Sequence, residues 1–552
     1  MGDGQDAGKG WRVTFAGMGI NLALGVLYTW SVIKKAIPAD WGWDDADKAL
    51  PYSIACIVFA LVMVPAGRLQ DRIGPRWVAT AGGVFTGLGL LLAAFSTTLG
   101  MYVVGFGVLA GIGIGLGYAS ATPPAVKWFP ARRTGLIAGL VVAGFGLASV
   151  YISPLANYFT GNDLAGKPQG TLAAADKSSK AAAAQLGAAR WLATQAEASP
   201  DGTIDPVDAA AGAAELATAR DAAKAALEGA KAQKAAETKA LSAALAKAEE
   251  AAKAGEAGLA LVQAAPSPID RATATSLVAS KEAAKADATG KLRTIKEGNI
   301  HKTMLYFGIG FLIVVVILSQ LLVPPPAGYV PPGSPTTAAA AAAVINIGPM
   351  TMLKTPLFWL LWLMFAFGAG AGLMIIGNIT TIAKLGHIEA GFILVALLAV
   401  GNASGRILAG ILSDKIGRTW TMFIIFVFQA ALMMVLRTGL SEMTTFVVVS
   451  MLLGFNYGAC LSVFPSATKD NFGLKNFGVN YGLVFTSWGV GGFVFPLAAG
   501  KIFETAKAAT GTGSYDNAYL VAAAALALAA ILTFVTRPLE KKHKETYAPK
   551  PA

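Results

Sequence analysis

Apolar residues along this chain gather into twelve long blocks, at about 11–33, 49–67, 77–96, 101–126, 134–158, 303–323, 356–383, 390–412, 419–437, 443–466, 477–502 and 516–536. Each is close to the roughly 20 residues that an α-helix needs to cross a bilayer. Five blocks precede a polar stretch at about 161–298, and seven follow it. The pattern predicts an all-α membrane protein with twelve transmembrane helices and a helical insert between spans five and six. Its expected divisions are residues 1–160 (spans one to five), 161–298 (the insert), 299–323 (span six), 324–354 (a linker), 355–540 (spans seven to twelve) and 541–552 (a tail).

The insert is rich in Ala, Lys and Glu, with breaks at Pro200, Pro206, Pro266 and Pro268. Those breaks leave helical runs of about 170–198, 207–261 and 270–298, with too few leucines for a coiled coil. Residues 324–347, with PPP, PP and a run of alanines, read as a flexible linker between two halves. At the N-terminus, Trp11 to Ile33 is long enough to span and runs straight into Lys34 and Lys35. It reads as a retained first span rather than a cleaved signal.

Composition agrees with this reading: 55% of the 552 residues are hydrophobic, 14% are charged, 63 are glycine, and the mean hydropathy is +0.57. The net charge of +12 is a topology signal. The insert holds 17 basic and 17 acidic residues, so the whole excess lies in the membrane part. Placing both termini in the cytoplasm puts Arg68, Arg72, Arg76, Lys127, Arg132, Arg133, Lys415, Arg418, Lys469, Lys475 and the basic tail on one side, as the positive-inside rule requires. The insert is then extracytoplasmic, and the protein is a multi-pass component of the cell (inner) membrane with no call for a nucleic-acid partner. Cys56 and Cys460 lie in different apolar blocks, too far apart in the pattern to suggest a disulfide.

An internal repeat runs at a constant offset of 343 residues. It pairs Gly25 with Gly368, Gly67 with Gly410, Asp71 with Asp414, Gly74 with Gly417, Trp77 with Trp420, Gly111 with Gly454, Phe129 with Phe472, Gly135 with Gly478, Gly139 with Gly482, and Gly146 with Gly489. Six spans separate equivalents, so the two halves share one orientation and are related by an axis along the membrane normal. The turn Gly67-Arg-Leu-Gln-Asp71-Arg72-Ile-Gly74 recurs as Gly410-Ile-Leu-Ser-Asp414-Lys415-Ile-Gly417-Arg418. The pattern G-x-x-x-D-[RK]-x-G resembles the loop motif of the major facilitator superfamily, over everything except the insert. Such a motif implies a gate. The leading glycine would allow close helix approach, and the aspartate would meet a helix N-terminus or a basic residue when the cytoplasmic face is shut.

Candidate chemistry centres on Arg406, set inside an apolar helix about 12 Å from the charged turn at Asp414. A cation at that depth faces the bundle interior or a wet cavity and marks a functional site; the alternative is that it snorkels or caps carbonyls of a neighbouring helix. No acidic residue sits at comparable depth in the apolar blocks. A guanidinium binds a carboxylate through two parallel hydrogen bonds, so the counter-ion expected here is an organic anion.

Tyr28, Trp30 and Ser31 in span one, Trp41-Gly-Trp43 after it, and Asn480-Tyr481-Gly482 through Trp488-Gly489 in span eleven resemble the oxalate:formate antiporter family. The spacing Asn402-x-x-x-Arg406 resembles the span-eight site of monocarboxylate transporters, which implies that Arg406 holds the substrate carboxylate. Two departures stand out. The resemblance implies a lysine where Trp488 stands, and an intramembrane aspartate where this chain has Asn402 and Asn378. A single central cation suits a monoanion.

The further cavity candidates are Tyr28, Tyr118, Asn378, Asn402, Tyr457, Tyr481 and Trp488, each of which can also serve as helix-packing filler. Lys384 reads as an interface residue at the outer end of span seven. His301, His387 and His543 are dispersed, and no Walker, zinc or nucleophile-elbow motif appears, so neither an enzyme nor a cofactor is expected. The reading is a monomeric secondary transporter, antiporter or symporter, for a small carboxylate: lactate, formate, pyruvate or oxalate, with a counter-anion or proton as the driving partner. Its rivals are a channel and a transporter-like sensor or receptor that uses the insert to bind a partner.

Overall fold

The computed structural model describes residues 2–129, 134–163, 167–232, 238–265, 268–326, 329, 345–386, 388, 391–438, 442–473, 476–511 and 513–547. Its helices fall into two compact units. One comprises Met1–Lys167 with Glu297–Ala552, and the other is Pro168–Lys296.

Among the described residues, twelve helices are long and apolar enough to span a membrane: Gly8–Ala36, Asp45–Gln70, Pro75–Ala94, Leu99–Lys127, Ile137–Phe159, Arg271–Ser319, Pro356–Leu385, Leu394–Ile416, Arg418–Arg437, Met443–Phe472, Phe477–Ala509 and Asp516–Tyr547. They are spans one to twelve below. Their ends follow local chemistry. The Asp44 carboxylate and Asp47 make reciprocal caps at the start of span two, and Glu442 accepts from the backbone N–H groups of Thr444 and Thr445 at the start of span ten. Spans two and eight stop at Gly74 and Gly417, with φ of +91° and +88°. Only glycine takes that conformation without strain. These turns define one end of the bundle, called here the motif end.

The repeat in the sequence appears as paired seams between the halves. Span five packs on span eight, and its equivalent, span eleven, packs on span two. Gly146 and Gly489 occupy the same place in the two seams. A Cβ at Gly146 would lie 3.6 Å from Asn402 and 3.7 Å from the Arg406 guanidinium carbon, while one at Gly489 would stand 2.4 Å from Ala60. Spans one and seven meet on the pseudo-axis. There Lys34 donates to Asn378 at 2.7 Å and Thr380 donates to the Ser31 carbonyl at 2.8 Å, while Tyr52 of span two donates to the Leu373 carbonyl of span seven at 3.3 Å.

Two expectations need correction. A Cβ at Gly67 would meet nothing within 4 Å, and at Gly410 only the Ser462 hydroxyl at 2.9 Å, so the leading motif glycine does not serve a close helix approach in the first half. The demanding glycine of each turn is Gly74 or Gly417, through its positive φ. The third helical run of the insert is not separate from span six, because residues 271 to 319 form one helix. No proline or glycine pair interrupts it between Arg271 and Ser319, so the helix has no reason to stop at the apolar boundary.

The smaller unit contains the helices Gly170–Ala198, Pro206–Ala232 and Thr238–Gln263 and the start of Arg271–Ser319. Strands β1 (Thr203–Ile204) and β2 (Ile269–Asp270) pair antiparallel. Leu192, Ile204, Val262 and Ile269 anchor its small core. Across the run expected at 207–261, the described residues form two helices, Pro206–Ala232 and Thr238–Gln263, which pack on each other. The linker is tied at both ends of its described part. The Trp128 indole donates to the Val323 carbonyl at 2.9 Å, and the Ile347 carbonyl accepts from the Asn480 amide at 2.9 Å.

Spans eight and ten make the tightest of these packings. A Cβ at Gly458 would lie 2.0 Å from the Asn402 carbonyl oxygen, a backbone atom that cannot step aside. Gly458→Ala is therefore expected to cost on the order of 1–3 kcal/mol or more by overpacking. Gly67→Ala, at an open helical position, should stay within about 0.5 kcal/mol of wild type. Thermal unfolding in detergent checks the pair, and equal midpoints for the two variants would contradict the seam.

Candidate substrate-binding site

Span eight is placed by glycine. Cβ atoms at Gly401 and Gly405 would lie 2.0 Å from the Met451 and Phe455 carbonyl oxygens of span ten, and Gly454 and Gly458 answer at 2.1 and 2.0 Å from Leu398 and Asn402. Small residues every four positions on both helices let the backbones touch. One face of span eight is thereby filled by span ten. Asn402 and Arg406, one turn apart, are turned toward span five of the other half.

Arg406 is 6% exposed, so it does not snorkel. Its Nε donates to Asn402 Oδ1 at 3.1 Å, and Nη1 donates to the Val142 carbonyl of span five at 2.8 Å. It thus does cap a neighbouring carbonyl, with part of its fork. Nη2 is buried with no hydrogen-bond partner, and so is Asn402 Nδ2. Among the described residues, no Asp or Glu forms an ion pair with Arg406. A buried cation with an unfilled donor thus stands beside a neighbouring unfilled amide, and two such donors suit an anionic acceptor.

Aromatic residues from both halves surround this point. Span one tightens into a 3-10 turn at Gly25–Thr29, where Gly25 lies against Ala148 and Phe145 of span five. Tyr28 in this turn reaches the other half, its hydroxyl 2.5 Å from that of Tyr457. The Trp488 indole donates to the same Tyr457 hydroxyl at 2.8 Å. Tyr118 lies beside the Arg406 guanidinium, with its ring edge-on to Phe59 and to Phe145, each at 5.3 Å. Tyr481 stands edge-on to Phe485 at 5.7 Å, and Phe485 stacks on Trp488 at 4.9 Å. Tyr28, Tyr118, Tyr457, Tyr481 and Trp488 therefore converge with Asn402 and Arg406. Phe59, Phe145 and Phe485 complete the wall. Sequence reasoning missed them, although Phe145 directly precedes the repeated Gly146 and Phe485 lies within the span-eleven stretch.

From Asn402 a narrow crevice, too tight to admit a water, runs on between Tyr28, Ser149, Ile376, Ile379 and Val395. The Ser149 hydroxyl in it has no partner. Asn378 lies apart from Arg406. Its Oδ1 accepts from Lys34 Nζ at 2.7 Å and from the Tyr515 hydroxyl at 3.2 Å. Lys34, which reads in the sequence as part of a basic flank, is instead 3% exposed. It also faces Asp45 at 3.6 Å. The adjacent Lys35 disguises it, because hydropathy marks where a helix leaves the membrane and not which way a side chain points.

The family model of the Major Facilitator Superfamily matches residues 13–164 and 383–552, more than half of the chain. The chain belongs to the major facilitator superfamily. Among its relatives is the uncharacterized MFS-type transporter YhjX of Escherichia coli (strain K12), 22% identical over 87% of this chain and 85% of that protein. The oxalate:formate antiporter of Oxalobacter formigenes is 30% identical over 35% of this chain and 46% of its own length. Monocarboxylate transporter 11 of Mus musculus is 32% identical over 27% of this chain and 33% of its own length. A solved bacterial homolog of the human lysosomal transporter Spinster shares the fold over 98% of both chains, with a TM-score of 0.53 and 14% identity. The two six-helix halves found in the sequence are those of this superfamily.

The superfamily's loop motif has its own electrostatics here. Arg418, one-fifth exposed, donates to Asp414 at 2.7 Å and to Asp470 at 2.9 Å, and also to the Ser413 hydroxyl. All four residues belong to the second half. In this conformation Asp414 meets a basic residue of its own half, and Arg418 ties span eight to the end of span ten. Lys415 and Arg72 are exposed, and the Asp71 side chain lies outside the described residues. Since Asp414 is 70% exposed and Asp470 34%, Arg418→Gln should lower the detergent unfolding midpoint more than Asp414→Asn. The arginine loss is expected to cost on the order of 1–3 kcal/mol, against at most about 1 kcal/mol for the exposed aspartate. The reverse ranking would place the restraint on Asp414.

Proposed function

We propose that this protein is a secondary active transporter that moves a small carboxylate anion across the cell membrane by alternating access. The observation that carries the reading is Arg406, buried at the seam of the two halves with Nη2 unpartnered beside an unpartnered Asn402 amide. A carboxylate placed there accepts from both and neutralises a charge that the protein leaves open. Because Val142 and Gly146 come from span five and Asn402 and Arg406 from span eight, the anion is bound between halves that must move against each other. Likeness to the oxalate:formate antiporter and to a monocarboxylate transporter supports the same substrate class.

A monoanion fits best. The aromatic wall offers hydroxyls and an indole but no second cation: the resemblance to oxalate antiporters implies a lysine in span eleven, and here Trp488 occupies that place, bonded to Tyr457. Lactate, formate and pyruvate are therefore preferred to oxalate. Both termini lie in the cytoplasm and the insert outside it, as the basic loops dictate. The transporter works as a monomer, driven by exchange with a second anion or by a proton.

Truncating one partner of a desolvated charge pair typically costs about 2–5 kcal/mol, so Arg406→Gln should lose roughly 30-fold or more in affinity. Arg406→Lys should fail nearly as badly, because an ammonium cannot span Asn402, Val142 and the anion at once. Counterflow in proteoliposomes with labelled lactate, formate, pyruvate and oxalate in turn is the test. Near wild-type affinity in the lysine variant would overturn the guanidinium assignment.

A further inference from the structure

The seam beyond Arg406 carries a polar group that the anion contact does not use. Along span five, moving away from the motif end, Val142 supplies the carbonyl that Arg406 caps, Gly146 faces Asn402 and the guanidinium, and Ser149 comes next on the same side of the helix. Ser149 is 1% exposed, and its hydroxyl has no partner. A serine inside a helix commonly donates to a carbonyl three or four residues back, as Ser120, Ser404, Ser413 and Ser487 do here. Ser149 does not. The Phe145 carbonyl, four residues back, lies against span one, 2.7 Å from the Cβ position of Gly25. The Ser149 side chain lines the crevice that runs on from Asn402.

Three unpartnered polar groups thus follow one another along the seam: Arg406 Nη2, Asn402 Nδ2 and the Ser149 hydroxyl. The first two can only donate, whereas a hydroxyl donates or accepts. Past Ser149 the crevice is walled by the aliphatic side chains of Ile376, Ile379 and Val395. Ser149 belongs to the first half and these three to the second, so the crevice widens as the halves part. A carboxylate held by Arg406 and Asn402 presents its C2 to the mouth of this crevice. An oxygen on C2 then answers the buried hydroxyl, which is costly to leave bare once water is excluded.

We infer that Ser149 sets substrate specificity by reading an oxygen on C2 of the bound acid, and that the crevice beyond it takes the hydrocarbon remainder. The ligand class is a 2-hydroxy or 2-oxo monocarboxylate with a short aliphatic tail. Ser149 accepts from a 2-hydroxyl and donates to a 2-oxo group, so both oxidation levels are bound. Propionate offers the hydroxyl nothing, and formate has no C2 at all. This inference rests on the carboxylate-transport reading and narrows it.

The test is proteoliposome counterflow with labelled lactate and labelled propionate, which differ by the one oxygen on C2. Wild-type KM should be about tenfold lower for lactate, the scale of one buried hydrogen bond that is otherwise left unmade. Ser149→Ala should raise KM for lactate and for pyruvate about tenfold and move KM for propionate by less than about twofold, because Arg406 and Asn402 are untouched. Ser153→Ala, one turn further along, removes another buried, unpartnered hydroxyl that does not line the crevice, and should change neither. Glycolate, lactate without its methyl, should bind wild type about threefold more weakly than lactate. Equal shifts for lactate and propionate in Ser149→Ala would make the serine a packing residue and overturn the inference, as would the same losses in Ser153→Ala. Equal wild-type KM for lactate and propionate would overturn it without any variant, and equal KM for glycolate and lactate would overturn the tail assignment. Absence of saturable uptake of every carboxylate would overturn the transport reading itself, whereas saturable uptake without discrimination at C2 overturns only the role of Ser149.

Discussion

A guanidinium held in the middle of a membrane must have every donor answered, because nothing in the surrounding hydrocarbon can answer it. Arg406 is the point at which this fold meets that demand incompletely. Asn402 takes Nε, the Val142 carbonyl takes Nη1, and Nη2 is left over. The glycine seam of spans eight and ten fixes the helix that carries it, with backbone contacts that no larger residue permits. Gly146 faces it from span five, where a Cβ would make ordinary contact with the guanidinium. The remaining donor is the one on which the proposed transport chemistry rests.

The two ends of the bundle are held differently. Away from the motif end, hydrogen bonds cross between halves at Lys34, Thr380 and Asp45. At the motif end, the ionic contacts of Arg418 stay within the second half and stiffen one half against itself. A rigid half and a breakable seam are the two parts that a rocking motion needs. In the middle, Tyr28, Tyr457 and Trp488 bridge the halves through one shared hydroxyl, which closes the centre around Arg406. The linker is fastened beside Trp128 in the first half and beneath Asn480 in the second, so it joins the ends of spans that carry Tyr118 and Tyr481.

Much of this was legible in the sequence, for physical reasons. Twelve spans follow from hydropathy, and of the glycines that repeat at the offset of 343 residues, Gly25, Gly368, Gly454 and Gly489 leave no room for a Cβ, whereas one at Gly146 would make ordinary contact with Asn402 and Arg406. Arg406 announced itself by its depth. Lys34 did not, since a lysine at the end of an apolar block followed by another lysine looks like a membrane flank, and only tertiary packing turns it inward. The 3-10 turn at Gly25–Thr29 adds to the difficulty. It changes the angular step per residue midway along span one, so positions beyond it cannot be assigned to a face by counting 3.6 residues per turn. Asn378 was grouped with Asn402 by residue type, and the structure assigns it to the Lys34 cluster. Gly67 was given a packing role that belongs to glycines elsewhere, because a glycine in a motif signals a backbone need without saying which one.

The central claim is electrostatic, that the open donor of Arg406 recognises a negative charge and not merely a small polar molecule. The most direct measurement is equilibrium binding of labelled lactate to the purified protein, with unlabelled lactate and its neutral amide, lactamide, as competitors of nearly equal shape. The account predicts that lactate displaces the label and that lactamide fails to do so even at about a hundredfold excess, consistent with the loss of one desolvated charge pair. Displacement by lactamide at concentrations comparable to lactate would contradict it.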